Sequence, residues 1–190
     1  MKSKDATILV LPGLGGGTAE HWYNRWVNRH GSMERVEQPD FWKPDPGQWT
    51  ANLHGQIGTA QKPVILIAHS AGVATVAHAF SGAETGGKVL GAFLVAAPDV
   101  ANMPERGKPA EIFHPLPEAA LPFPSVLVAS RNDPYCGYAR SEELAKAWDA
   151  TLIDAGDAGH INADSGHGAW PEGALRFATF LSGIEARTVH

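Results

Sequence analysis

Five short apolar runs, each closed by turn residues and set apart from the next by a helical pattern, constrain this chain more than any other feature. Thr7-Ile8-Leu9-Val10-Leu11 stops at Pro12-Gly13, and Val64-Ile65-Leu66-Ile67 leads through Ala68 to Ser70. Val89 to Ala97 stops at Pro98-Asp99, Ser125 to Ser130 runs into Arg131-Asn132-Asp133-Pro134, and Thr151 to Asp154 closes the series. Strands alternating with helices predict an α/β fold: a mostly parallel sheet with crossover helices on both faces. Helices are expected over Glu20 to His30, Trp49 to Ala60, Ala71 to Phe80, Ser141 to Ala150 and Glu172 to Ile184, with Trp22 and Trp26 on one face of the first. Arg35-Val36-Glu37-Gln38 predicts a weaker edge strand. The proline-bearing stretch from Met103 to Pro124 reads as a long loop with one short helix, and such loops are functional or mobile. No repeat or linker divides residues 1–190, so one compact domain without a large cap is expected.

Chemistry concentrates at one junction. Ala68-His69-Ser70-Ala71-Gly72 places a serine between an apolar strand and a helix of small residues. A nucleophilic hydroxyl is exposed on such a turn, usually in the pattern Gly-x-Ser-x-Gly. Alanine is the smallest replacement for the first glycine, and the second is kept as Gly72. A serine hydroxyl needs a base to take its proton and a third group to orient that base. Loops at the carboxyl ends of parallel strands converge, so each partner should follow a strand. Asp133 and His160 do so, and the chain order Ser70, Asp133, His160 is that of α/β-hydrolases. Asp99 is the rival acid and His167 the rival base. The expected oxyanion donors are the N–H of Ala71 and one from the Gly-rich loop Pro12 to Gly17. Leu14 is preferred there, with Gly13 and Gly15 as alternatives.

The chain resembles the small serine hydrolases of the retinoblastoma-binding-protein/YdeN-like family, a compact branch of the α/β-hydrolase superfamily. The resemblance rests on the Pro-Gly-Leu-Gly-Gly loop with His21-Trp22 after it, the His69-Ser70-x-Gly turn, Ser130-Arg131-Asn132-Asp133-Pro134 and Gly159-His160-Ile161-Asn162. It implies a triad of Ser70, Asp133 and His160, no cofactor, and hydrolysis of small carboxylic esters or related acyl compounds. Pocket-protein binding is not carried over, because Cys136 is flanked by Pro134 and Tyr138 where a Leu-x-Cys-x-Glu motif would need Leu and Glu.

Other classes fit poorly. A net charge of −5 and the absence of a basic run give no footprint for nucleic acid or an anionic membrane surface. Gly13-x-Gly15 lacks the third glycine of a dinucleotide loop, which falls on Thr18, and no Gly-Lys-Ser/Thr or His-Glu-x-x-His occurs, so no metal site is expected. Cys136 is the sole cysteine, and no apolar stretch suits a signal peptide or a span, so a cytoplasmic protein acting on a small-molecule acyl substrate is expected. An interaction protein on an inactive hydrolase scaffold is the alternative. His69 is expected to pack and hydrogen-bond beside the site, Cys136 to be structural, and one of Trp22, Trp42 and Trp49 to line an acyl pocket. Oligomeric state is left open.

Overall fold

A computed structural model describes residues 5–84 and 86–188. The five apolar runs become strands β1 (Thr7–Leu11), β3 (Val64–His69), β4 (Val89–Val95), β5 (Ser125–Ala129) and β6 (Ala150–Asp154), with β2 (Met33–Arg35) at the edge. The sheet order is β2-β1-β3-β4-β5-β6, and every neighbouring pair is parallel. Alternation along each strand divides the apolar side chains between two cores. Leu9, Leu66, Leu94 and Leu127 pack with α2 (Pro46–Thr59), α3 (Ala71–Phe80) and α4 (Tyr138–Ala147). Ile8, Ile65, Phe93 and Val126 pack on the other face with α1 (Trp22–Arg29) and α5 (Pro171–Thr188). Because both faces are covered, the strands need apolar residues at consecutive positions, which is why the runs are unbroken.

The chain leaves β1 for β2 on one side and returns to β3 on the other. The direction of winding therefore reverses between β1 and β3, and a parallel sheet opens a crevice at the carboxyl ends of such a pair. These two strands run in register from Thr7↔Val64 to Leu11↔Ala68, so they finish side by side. The loop after β1 and the turn at Ser70 are thereby brought together.

Several boundaries differ from expectation. β2 covers Met33–Arg35 rather than 35–38, pairing Ile8↔Met33 through Val10↔Arg35. The Val36 N–H still donates to the Val10 carbonyl at 2.8 Å, but no further register pair follows. α2 starts at Pro46, three residues before Trp49, because the Asp45 carboxylate accepts a hydrogen bond from the Gln48 N–H at 2.8 Å. A proline in the first turn forfeits no helical hydrogen bond. α4 begins at Tyr138 rather than Ser141, and the 103–124 stretch contains a 3-10 segment, Glu105–Phe113, interrupted by Pro109.

Candidate active site

Ser70 links β3 directly to α3 with φ 54° and ψ −122°. A non-glycine residue in that region is held there only when its surroundings dictate it. The cause is close packing against the β1 loop. A Cβ on Gly72 would collide with the Leu11 carbonyl oxygen and lie 2.8 Å from that of Pro12; one on Gly13 would lie 2.7 Å from Ser70 Cβ. Both positions therefore require glycine. Ala68 differs: it is fully buried in β3, in register with Leu11 and Leu94, and its methyl group packs in the core.

The residues expected to gather here do so. His160 Nε2 lies 2.9 Å from Ser70 Oγ, and His160 Nδ1 lies 3.0 and 2.9 Å from the two Asp133 oxygens. The Asp133 side chain is only 3% exposed, and its Oδ1 also accepts from the Tyr135 N–H at 2.9 Å. The loops after β5 and β6 are joined by more than this pair. Asn132 Oδ1 accepts from the Gly159 N–H at 2.7 Å, Ser130 Oγ accepts from the Ala158 N–H at 2.9 Å, and the Arg131 N–H donates to the Gly156 carbonyl at 2.8 Å. The His160 backbone is held from the opposite side as well. His69 Nε2 donates to the His160 carbonyl at 2.9 Å, and the Trp22 indole N–H donates to the Ile161 carbonyl at 2.8 Å. Because a carbonyl can only accept, the His69 bond fixes its tautomer.

Burial keeps two neighbouring imidazoles uncharged. His69 is held well below the ordinary histidine value by desolvation, reinforced by His160 and His21. His21 is lowered to about 3 by desolvation first, then by His160 and His167. The His21 ring stacks on Tyr23 at 3.7 Å and meets the edge of His69 at 4.9 Å. The Tyr23 phenol is raised above its usual range, chiefly by burial.

In the Gly-rich loop the backbone donors are mostly committed. The Gly15 N–H donates to the Phe41 carbonyl at 3.0 Å, and the Gly16 N–H to the Gly13 carbonyl at 3.1 Å. The Gly13 N–H lies against the Tyr23 hydroxyl. Leu14 is, with Gly17, a loop position whose N–H has no partner among the described residues, and Ala71 opens α3, where the first N–H groups have no intrahelical acceptor.

A cavity of about 290 Å³ opens above Ser70, lined by the Gly-rich loop and by His21, Trp42, Tyr135 and Asn162 among others. Of the three tryptophans considered, Trp42 lines it, while Trp22 and Trp49 are buried in the two cores. The rivals lie elsewhere. Asp99 is near Arg140, 4.0 Å away, and accepts from Asn102 at 2.9 Å; His167 contacts Ser165 at 3.1 Å and the Trp170 ring. Cys136 is buried beside Ser141, and burial raises its thiol to about 11, well away from thiolate chemistry. Tyr135, whose ring centroid is 4.4 Å from that of His160, and the rim pair Arg106 and Asp164 carried no recognisable signal in the sequence. Among the described residues, no group of three or more His, Cys, Asp or Glu is arranged to hold a metal ion.

The family profile described as serine hydrolase matches residues 8–179. The chain belongs to the serine hydrolase family. This serine hydrolase shares 33% identity with a YdeN-like hydrolase from Pectobacterium atrosepticum, over 96% of this chain and 94% of that one, with a TM-score of 0.84. The ydeN gene product of B. subtilis has the same fold at 17% identity, with a TM-score of 0.72 and coverage of 93% and 99%. Est1E from Butyrivibrio proteoclasticus, in a structure with ferulic acid bound, shares the fold at 11% identity, with a TM-score of 0.69 and coverage of 100% and 92%. No curated protein matches the chain. The serine hydrolase thus has the α/β-hydrolase fold in compact form, and no helix among its described residues is long and apolar enough to cross a membrane.

Proposed function

We propose that this hydrolase cleaves small carboxylic esters or related acyl compounds through an acyl-enzyme on Ser70. One observation carries the reading: Ser70 Oγ, the His160 ring and both Asp133 oxygens form a continuous chain of contacts of 2.9 to 3.0 Å. In the proposed cycle His160 Nε2 takes the hydroxyl proton as Ser70 Oγ bonds to the acyl carbon. Asp133 holds the Nδ1–H and offsets the positive charge on the imidazolium. The proton then passes to the leaving oxygen as the ester bond breaks. In the second half a water gives its proton to His160 and attacks the acyl carbon, and Ser70 recovers its hydrogen as the acid departs. The unpaired N–H groups of Leu14 and Ala71 are the proposed donors to the oxyanion; one such donor is worth about 10²–10³ in rate. A small-molecule substrate suits the 290 Å³ cavity, and a cytoplasmic location suits a chain with one cysteine, itself buried.

A fluorophosphonate probe should label the native protein at Ser70, and short-chain p-nitrophenyl esters should be turned over. Ser70→Ala should abolish labelling and lower hydrolysis by about four orders of magnitude or more. Labelling that persists in the variant would assign the nucleophile elsewhere. Labelling of the native protein with no acyl turnover would favour a binding protein on this scaffold.

A further inference from the structure

His21 is the polar side chain of the cavity that the proposed chemistry leaves unused. Its ring is 5% exposed, lines the cavity that holds Ser70, and has no hydrogen bond to either nitrogen among the described residues; Nδ1 is sealed from solvent without a partner. The other inward polar side chains have at least one partner each. His69 Nε2 serves the His160 carbonyl, the Tyr23 hydroxyl faces the Gly13 N–H, and Asn162 Oδ1 accepts from the Ser165 N–H at 3.0 Å. Leaving a buried polar group unpaired is costly, and native proteins do so rarely, a catalytic or binding role being one of the reasons. The ring is also held by stacking on Tyr23 and by its edge contact with His69, so it presents a fixed hydrogen-bonding surface.

We propose that His21 is a specificity-determining residue that hydrogen-bonds a hydroxyl on the acyl portion of the substrate, so that the preferred substrates are neutral hydroxyacyl esters. This rests on the esterase reading above. With Nδ1 sealed, Nε2 is the nitrogen open to the cavity; in an uncharged imidazole it donates or accepts according to tautomer, and a hydroxyl is the small group that can meet either. A charged acyl chain would find no counter-ion inside. The charged side chains on the cavity wall are Arg106 and Asp164, which are 84% and 80% exposed at its rim and 4.0 Å from each other. A site with a polar group waiting for a substrate hydroxyl discriminates strongly against the analogue that leaves it unpaired.

The test compares isosteric p-nitrophenyl esters: lactate against isobutyrate, and 3-hydroxybutyrate against isovalerate, each normalised to its hydroxide-catalysed rate. The wild type should favour the hydroxy member of at least one pair by about tenfold or more in kcat/KM. His21→Phe keeps an aromatic ring over Tyr23 and removes both nitrogens. It should erase that preference while leaving the methyl isostere within a few-fold of wild type. His21→Gln, which keeps a hydrogen-bonding group, should retain part of it and serves if the phenylalanine variant does not fold. No preference in either pair, or a preference that survives both substitutions, would overturn the assignment. The two readings separate cleanly: turnover of the esters with no hydroxy preference sinks the hydroxyacyl proposal alone, and absence of label or of any turnover sinks both.

Discussion

Asp133 and Asp99 both follow a strand, and their surroundings separate them. Asp133 sets both oxygens on one imidazole nitrogen, out of solvent, with the Tyr135 N–H fixing its orientation. Asp99 is 16% exposed and faces Arg140 and Asn102. Asp133→Asn would offer His160 an amide in place of a charge and favour the wrong tautomer. Steady-state kinetics should show kcat lower by about 10⁴-fold, with Asp99→Asn within a few-fold of wild type. The reverse ranking would remove Asp133 from its proposed role. Ser70, Asp133 and His160 were legible in the sequence because each type is chemically distinctive and each lies just past an apolar run. His21 stood in the same motif with no role attached, since nothing in its neighbours in sequence reveals that its nitrogens lack partners. Tyr135 was equally silent, because its contact with His160 crosses between two loops.

The Gly-rich loop after β1 is shaped as much by the 40–43 segment as by its own glycines. The Phe41 carbonyl takes the Gly15 N–H, and Trp42, though 65% exposed, lies over Gly15 so closely that an added Cβ would come 2.5 Å from the indole. Asp40 Oδ1 in turn accepts from the Trp42 and Lys43 N–H groups at 2.7 and 3.1 Å, which holds the indole in place. Gly15 adopts φ +69°, so alanine there meets strain as well as a clash. Gly15→Ala should displace the neighbouring Leu14 N–H and lower kcat by about 10- to 100-fold. Adding Trp42→Ala removes the clash and leaves the strain, so the double variant should recover part of the loss. If the double variant is no better than the single, the indole is not what confines this loop. The sequence showed a tight turn here but not its clamp, because residues 40–43, in the β2–α2 connection, reach the loop only once β2 has paired beside β1. The edge strand was misplaced as well: Val36 is the more apolar residue, yet the register pairs run from Ile8↔Met33 to Val10↔Arg35.

At the scale of the whole molecule, the crevice between β1 and β3 collects imidazoles in a place where water is scarce, and this ties stability to pH. His21 and His69 are buried and uncharged, whereas in the unfolded chain each would take up a proton near pH 6.5. Acidification therefore favours the unfolded state: full stability is present above about pH 6.5 and is lost as pH falls toward the folded values, about 3 for His21. Each such histidine lowers unfolding free energy by about 1.4 kcal/mol per pH unit within that window. The carboxylates held low by partners act later. Glu118, lowered by Arg140, and Asp154, lowered by the Gly156 N–H and then Arg131, stay ionised in the folded protein below the ordinary carboxylate range, so their contribution is lost only once the pH falls into and through that range. Urea unfolding at pH 7.5, 6.5, 5.5 and 5.0 should thus show a midpoint that is level at first and then declines, and His21→Phe should decline less steeply than wild type. A midpoint that holds constant down to pH 5.0 would mean that these rings reach water and can charge in the folded protein. The parallel sheet that gathers the Ser70 site was readable from its apolar runs; this acid sensitivity was not, because burial of a histidine depends on which helices close over it.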